Sequence, residues 1–443
     1  MNDFSLKTRR EFLRTTLVGG AMSWTVPSFI HATIQSLFTT QADAAVAPVT
    51  GKDGPILVVL QLAGGNDGLN TVVPIANDFY YRARPTLGIK AADTLRLNDD
   101  VGLHASLAGL RGLYDEGHLT IIQGVGYPNP NRSHFRSTEI WHTGSDANKT
   151  ESFGWLGRYF DSQCQGEDAS CGIAIGSETP QAFFSRSSKG ITLSDAQNFR
   201  LMTGGAGEAE MSLMEQLNGM VDDESGASIT ALAGSKSNAK PGEHAIDFLE
   251  RIALDAKVNA KRIRDIAARG ESSSGYPQTR IGRELQLIGK MIGGGMTSRI
   301  YYATQGGYDT HTGQVGSHTR LLKEFSDAMA AFIADLQAQG NLDRVMVMTF
   351  SEFGRRVAEN QSGGTDHGAA APLFIAGGRM ARGIIGSQPS LNPDDLEQGD
   401  IRHSVDFRSV YATLLERHLK VDAREVLGRA FPTMDFIGSP AKA

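Results

Sequence analysis

The residues best equipped for chemistry are carboxylates and histidines that cluster at a few points of the chain. Asp309 and His311 flank Thr310 in the stretch Gly306-Gly307-Tyr308-Asp309-Thr310-His311. Asp366 and His367 adjoin in Gly364-Thr365-Asp366-His367-Gly368, shortly after Ser351-Glu352-Phe353-Gly354. Asp67 stands in Ala63-Gly64-Gly65-Asn66-Asp67-Gly68. Carboxylates and imidazoles are ordinary ligands for divalent metal ions. In extended backbone, residues i and i+2 point the same way, so Asp309 and His311 can present two ligands together. Taken singly, Asp-x-His is a weak motif, and Asp67 reads more readily as a residue that stabilises its own turn.

A second group is Arg132-Ser133-His134-Phe135-Arg136, which follows Pro128 and Pro130. The prolines and the serine suit a helix start. Ser133 is then either a plain N-cap or a nucleophile or phosphate contact favoured by the positive end of the helix. His134 is either a core histidine or a substrate contact. Arg132 and Arg136 are the arginines suited to grip an anionic substrate bidentately.

The elements that must position these groups are short apolar runs. Residues 55–62, 119–125, 297–304 and 345–350 are such runs bounded by turn signals. That pattern suits strands buried on both faces, as in a parallel sheet. Open parallel sheets carry their sites beyond the carboxyl ends of the strands. Asp67, Ser133, Asp309 and Glu352 each follow one of these runs, and Asp366 and His367 come shortly after. The sequence therefore predicts that the loops converge on one carboxylate and histidine site. Shorter strands are expected at 172–176, 190–193 and 372–376. Helices are expected at 104–114, from Ser133 toward His142, and at 152–163, 279–292, 317–337 and within 401–419, where His403 is a weaker site candidate. The 317–337 helix carries one apolar stripe and belongs to the core. Residues 78–103 read as irregular surface. A helical insertion is expected over about 200–275, with a linker near 234–240.

Of the 443 residues, 40% are hydrophobic and 21% charged, which is globular composition. A net charge of −6 and the lack of a basic stripe argue against a nucleic-acid partner. The glycines after Leu62 lack the GxGxxG spacing and the P-loop lysine of nucleotide sites. With no haem-attachment motif either, a redox enzyme has little support. Cys164 and Cys171, the two cysteines, are too few for a cysteine zinc site and suit a short surface disulfide in an oxidising compartment. Arg9-Arg10-Glu11-Phe12-Leu13, an apolar segment over 17–38 and Ala42-Asp43-Ala44 read as a twin-arginine signal peptide, residues 1–44. The export machinery is then a partner, and the mature chain, 45–443, is periplasmic or secreted. Glycines and polar residues interrupt the apolar segment, so no stable membrane span is expected.

LQLAGGNDGLNTVVP around Asp67, SHFRSTEIWHTG from Ser133, GGYDTH at Asp309 and SEFGR…GTDHG, with the twin-arginine start, resemble an exported bacterial family known as domain of unknown function 1501. That family resembles a distant branch of the alkaline phosphatase and sulfatase superfamily. The resemblance implies an α/β fold, a three-layer α/β/α sandwich with a largely parallel central sheet. It implies metal ligands among Asp67, Asp309, His311, Asp366 and His367, and Ser133 at the nucleophile position. Zinc, manganese, magnesium or calcium would suit. Two departures stand out: Phe353 occupies a position where the superfamily offers a ligand histidine, and the cysteine signature of formylglycine sulfatases is absent.

Two functions are therefore expected as alternatives. One is a metal-dependent hydrolase of a phosphate or related ester, on a small-molecule or polymer substrate, with Glu352 as ligand or general base and Arg132, His134 and Arg136 on the substrate. The other is a non-catalytic periplasmic binding or assembly protein on a degenerate hydrolase scaffold.

Overall fold

A computed structural model describes residues 54–164, 171–186, 190–193, 265–266, 275–378, 380–381 and 383–438. The expected signal segment lies outside the described residues. So does the expected insertion, apart from 265–266 and 275.

Strand β1 (Ile56–Ala63) shows why the apolar runs become central strands. Ile56, Val58, Leu60 and Leu62 point into one core cluster, and Leu57 and Val59 into another. Successive side chains alternate across a strand, so a run apolar at every position buries both faces. The chain then forms the short helix α1 (Gly68–Thr71), β2 (Val72–Val73), α2 (Asp78–Ala83), β3 (Thr94–Arg96) and β4 (Gly102–His104). β4 pairs with both β2 and β3 in a small antiparallel sheet, order β2-β4-β3. The stretch 78–103 is thus not irregular throughout. Its strands are too short for periodicity to reveal.

There follow α3 (Ala108–Glu116), β5 (Leu119–Gly126), α4 (His134–Thr143), α5 (Trp155–Gln163), β6 (Gly172–Ile175) and β7 (Gly190–Leu193). After them come α6 (Arg280–Gly293), β8 (Ile300–Gly306), α7 (Gln314–Ala338), β9 (Val345–Phe350) and a hairpin of β10 (Arg355–Glu359) with β11 (Thr365–His367). The chain ends through β12 (Ala371–Gly377), β13 (Gly383–Ile385), β14 (Val405–Asp406), α8 (Phe407–Thr413) with a π-helical continuation, and α9 (Ala423–Leu427).

The central sheet runs β13-β5-β12-β9-β1-β8-β6-β7, with β14 also beside β5. Only β12 is antiparallel to its neighbours. Side chains of α3, α6 and α7 fill one face of the sheet, and those of α4, α5, α8 and α9 fill the other. This is the expected three-layer α/β/α arrangement. Cys164 and Cys171 are joined in a disulfide with Cα atoms 6.2 Å apart, and both are buried rather than on the surface. Because β1, β5, β8 and β9 run the same way, the segments that follow them emerge at one edge of the sheet.

Candidate functional site

Backbone packing brings three of those segments into contact. Gly64 and Gly65 turn the chain after β1 with φ of +119° and +76°, a region that L side chains rarely adopt. A Cβ on Gly64 would stand 2.4 Å from the Asp309 nitrogen, and one on Gly65 2.3 Å from the Phe353 ring. The loops after β1, β8 and β9 therefore meet where only glycine fits. Arg355, the first residue of β10, ties them together. Its guanidinium, 2% exposed as a residue, donates to the carbonyls of Gly65 (2.6 Å), Thr365 (2.7 Å), Tyr308 (2.9 Å) and Gly64, and to Asp309 Oδ1 (2.8 Å). Ser351 Oγ donates to the Leu62 carbonyl at 2.7 Å and accepts the Asn66 N–H at 2.8 Å.

On this frame His134, Asp309 and His367 offer ligand atoms that all lie within 4.8 Å of one another. His367 Nε2 is 3.1 Å from Asp309 Oδ1 and 2.9 Å from His311 Nε2, which is itself 3.2 Å from Asp309 Oδ1. His134 Nε2 lies 3.5 Å from Asp309 Oδ2 and is buried without a hydrogen-bond partner.

The opposite nitrogens of the three rings are held. His367 Nδ1 lies 2.8 Å from the Arg132 carbonyl. His134 Nδ1 lies 2.8 Å from Glu352 Oε1, which also accepts the Gly64 N–H at 2.8 Å. His311 Nδ1 lies 3.1 Å from Asp366 Oδ1. A carbonyl or a carboxylate only accepts, so each Nδ1 donates to its partner, and in a neutral ring of that tautomer Nε2 offers a lone pair. Two such lone pairs 2.9 Å apart, on His311 and His367, repel unless a proton or a cation lies between them. The donor set of imidazole nitrogens and a carboxylate, each oriented from behind, fits a divalent metal ion.

Burial by itself raises the Asp309 carboxyl, but the Arg355 guanidinium and the histidine rings beside it outweigh this and hold the group at about 2. Asp309 is therefore ionised at neutral pH. The hydrogen bond that His134 donates to the Glu352 carboxylate, opposed by burial, raises His134 above its usual value. Phe353 packs against the rings of His134 and His367, with centroids 4.9 and 4.5 Å away. It supplies no ligand but fixes the planes of two.

The other sequence candidates lie around this cluster. Asp366 contacts His311 and, at 3.2 Å, Asn360. Ser133 stands at the N-cap position of α4, exposed, and its hydroxyl makes no capping bond. Asp67 is not part of the trio. It is fully buried, 2.7 Å from the Arg84 guanidinium and also bonded by Gln314. Burial pushes its carboxyl up, and Arg84 more than offsets this. Arg132 bonds Asp400 at 2.7 Å, and Arg136 bonds Glu139 at 2.6 Å. His403 is not part of the trio either. Sequence reasoning missed Arg355, Asn360 and Asp400. Arg355 directly follows the Glu352 motif, but nothing in its type or spacing separates a buried clamp from a surface arginine.

A sequence profile of the family described as "Protein of unknown function (DUF1501)" matches residues 55–431. A search of curated protein sequences finds no match. Among solved structures, a protein in the alkaline phosphatase superfamily from Vibrio parahaemolyticus is 10% identical, with a TM-score of 0.35 over 92% of this chain and 78% of that one. The C-terminal periplasmic domain of EptC from Escherichia coli, in complex with Zn, is 10% identical, with a TM-score of 0.31 over 89% of this chain and 92% of that one. The alkaline phosphatase of the Antarctic bacterium TAB5 is 11% identical, with a TM-score of 0.31 over 73% of this chain and 92% of that one.

Proposed function

The chain belongs to the DUF1501 family, and from the site just described we propose that it is a metal-dependent hydrolase of phosphate or related esters. The observation that carries this reading is the convergence of three Nε2 atoms on Asp309, with every Nδ1 held from behind. His134, Asp309 and His367 would hold the ion, with His311 beside them. Once bound, a divalent ion would polarise an ester oxygen and lower the pKa of a bound water or hydroxyl. Glu352 acts in this reading as the orienting partner of His134 rather than as a free base, because Oε1 is shared between that ring and Gly64. Asp366 plays the same part for His311. Ser133, exposed at the positive end of α4, is the candidate nucleophile. The twin-arginine start puts this activity in the periplasm or outside the cell. Among the described residues no helix is long and apolar enough to cross a membrane.

The test is to strip the purified protein of metal and titrate it with zinc. Stoichiometric binding is expected, lost in Asp309→Ala together with hydrolysis of p-nitrophenyl phosphate or its diester. Absence of zinc binding, with hydrolysis unchanged in Asp309→Ala, would overturn the proposal. One observation favours the second reading, a non-catalytic binding or assembly protein. Arg132 and Arg136 both face carboxylates, so neither is free to clamp an anion. That reading predicts no ester turnover and partner capture that survives Ser133→Ala.

A further inference from the structure

We propose that Asp400 is a positioning residue for the candidate metal site, acting through Arg132 on His367. Asp400 is 1% exposed and lies in the loop before β14, far from the cluster in sequence. Its Oδ2 accepts from Arg132 Nε at 2.7 Å and from Arg132 Nη2 at 2.5 Å. The carbonyl of the same Arg132 accepts from His367 Nδ1 at 2.8 Å. That bond keeps the proton on Nδ1 and turns Nε2 toward Asp309, 3.1 Å away. Arg132 lies in the connection between β5 and α4, and Asp400 is its sole carboxylate partner among the described residues.

The Asp400 loop is itself held. The Asp400 N–H donates to the Glu397 carbonyl at 3.0 Å, and the Ile401 carbonyl accepts from Ala370 at 3.4 Å. Arg356 approaches the other Asp400 oxygen at 3.7 Å. A loop outside the strand-end motifs thus fixes the backbone oxygen that selects the tautomer of one ligand ring. Outer partners of this kind commonly change metal affinity by about 10- to 100-fold when lost.

The affinity part of this inference rests on the metal-binding reading; the tautomer part does not. Asp400→Asn keeps the shape of the side chain and removes the charge that holds Arg132. In metal-free protein labelled with 15N-histidine, the wild-type His367 Nδ1 should be fully protonated, and Asp400→Asn should show partial loss of the Nδ1 proton. The zinc dissociation constant of the folded variant should rise about tenfold, and Asp400→Glu, which keeps the charge, should restore part of the loss. A purely structural role would lower the melting temperature and leave both the tautomer and the affinity of the folded protein unchanged; that result overturns the proposal. If wild type binds no zinc, the metal reading falls, and the His367 signals still decide the Asp400 inference. If Asp400→Asn does not fold, Arg132→Gln removes the other half of the pair and carries the same test.

Discussion

Asp67 and Asp309 follow strands and glycines in the same way, yet their surroundings make them different acids. Asp309 has a half-exposed side chain and shares its oxygens with Arg355 and histidines. Asp67 faces Arg84, and both side chains are fully buried. Removing one partner of a buried ion pair strands the other charge, at a cost of roughly 3–5 kcal/mol. Asp67→Ala should therefore lower unfolding stability by about that amount, as read by urea denaturation, while the folded fraction keeps its zinc affinity. Zinc binding lost without a drop in stability would place Asp67 among the ligands instead. The sequence showed which acids and histidines lie at strand ends, and the structure brings Asp309, His311, Glu352, Asp366 and His367 together there. Sequence could not separate Asp67 from Asp309, because the difference lies in Arg84 and Gln314, which reach Asp67 only in three dimensions. It likewise placed His134 with the substrate, since the ring reaches Asp309 and His367 only when α4 packs beside β8 and β11.

At the scale of elements, the long apolar runs were legible because burial on both faces leaves a continuous signal over six to eight residues. The β10–β11 hairpin was not, since β11 is three residues long and pairs through an irregular register. Yet that hairpin supplies both Arg355 and His367. The turn after β1 has the same importance for the opposite reason: it must carry no side chain. Gly64→Ala would drive a Cβ into the backbone of Asp309, at a positive φ that alanine tolerates poorly. The expected outcome is a stability loss above about 1 kcal/mol and weaker zinc binding, since Asp309 moves with its backbone. Gly112, inside α3 with nothing within 4 Å of its Cβ position, is the control. Gly112→Ala should stabilise by roughly 0.5–1 kcal/mol, as helix propensity dictates. Thermal melts and zinc titrations of the two variants decide the matter. Equal behaviour would show that the close approach at Gly64 has no role in shaping the site.

For the whole molecule, the two faces of the sheet each bury a histidine outside the candidate ligands. His142 on α4 bonds the Tyr302 hydroxyl at 2.9 Å, and His318 on α7 bonds Asn66 Oδ1 at 2.9 Å. Burial lowers both to about 4, against 6.5 for the free side chain. Both stay neutral in the folded protein, while the unfolded chain takes up protons below about 6.5. The stabilising contribution is therefore complete above pH 6.5 and is lost as pH falls toward 4. For each histidine the loss between pH 7 and pH 5 is roughly 2 kcal/mol, a large share of a typical domain stability of about 5–15 kcal/mol. Asp309, held at about 2, stays ionised across this window and adds nothing to it. Urea unfolding should therefore show a lower midpoint at pH 5 than at pH 7. His142→Gln, which keeps a polar partner for Tyr302 and cannot take up a proton, should make the dependence shallower. An unchanged midpoint across that range would mean that the two faces do not keep these imidazoles neutral. With it would go the view that the protein closes dry layers over both sides of the sheet.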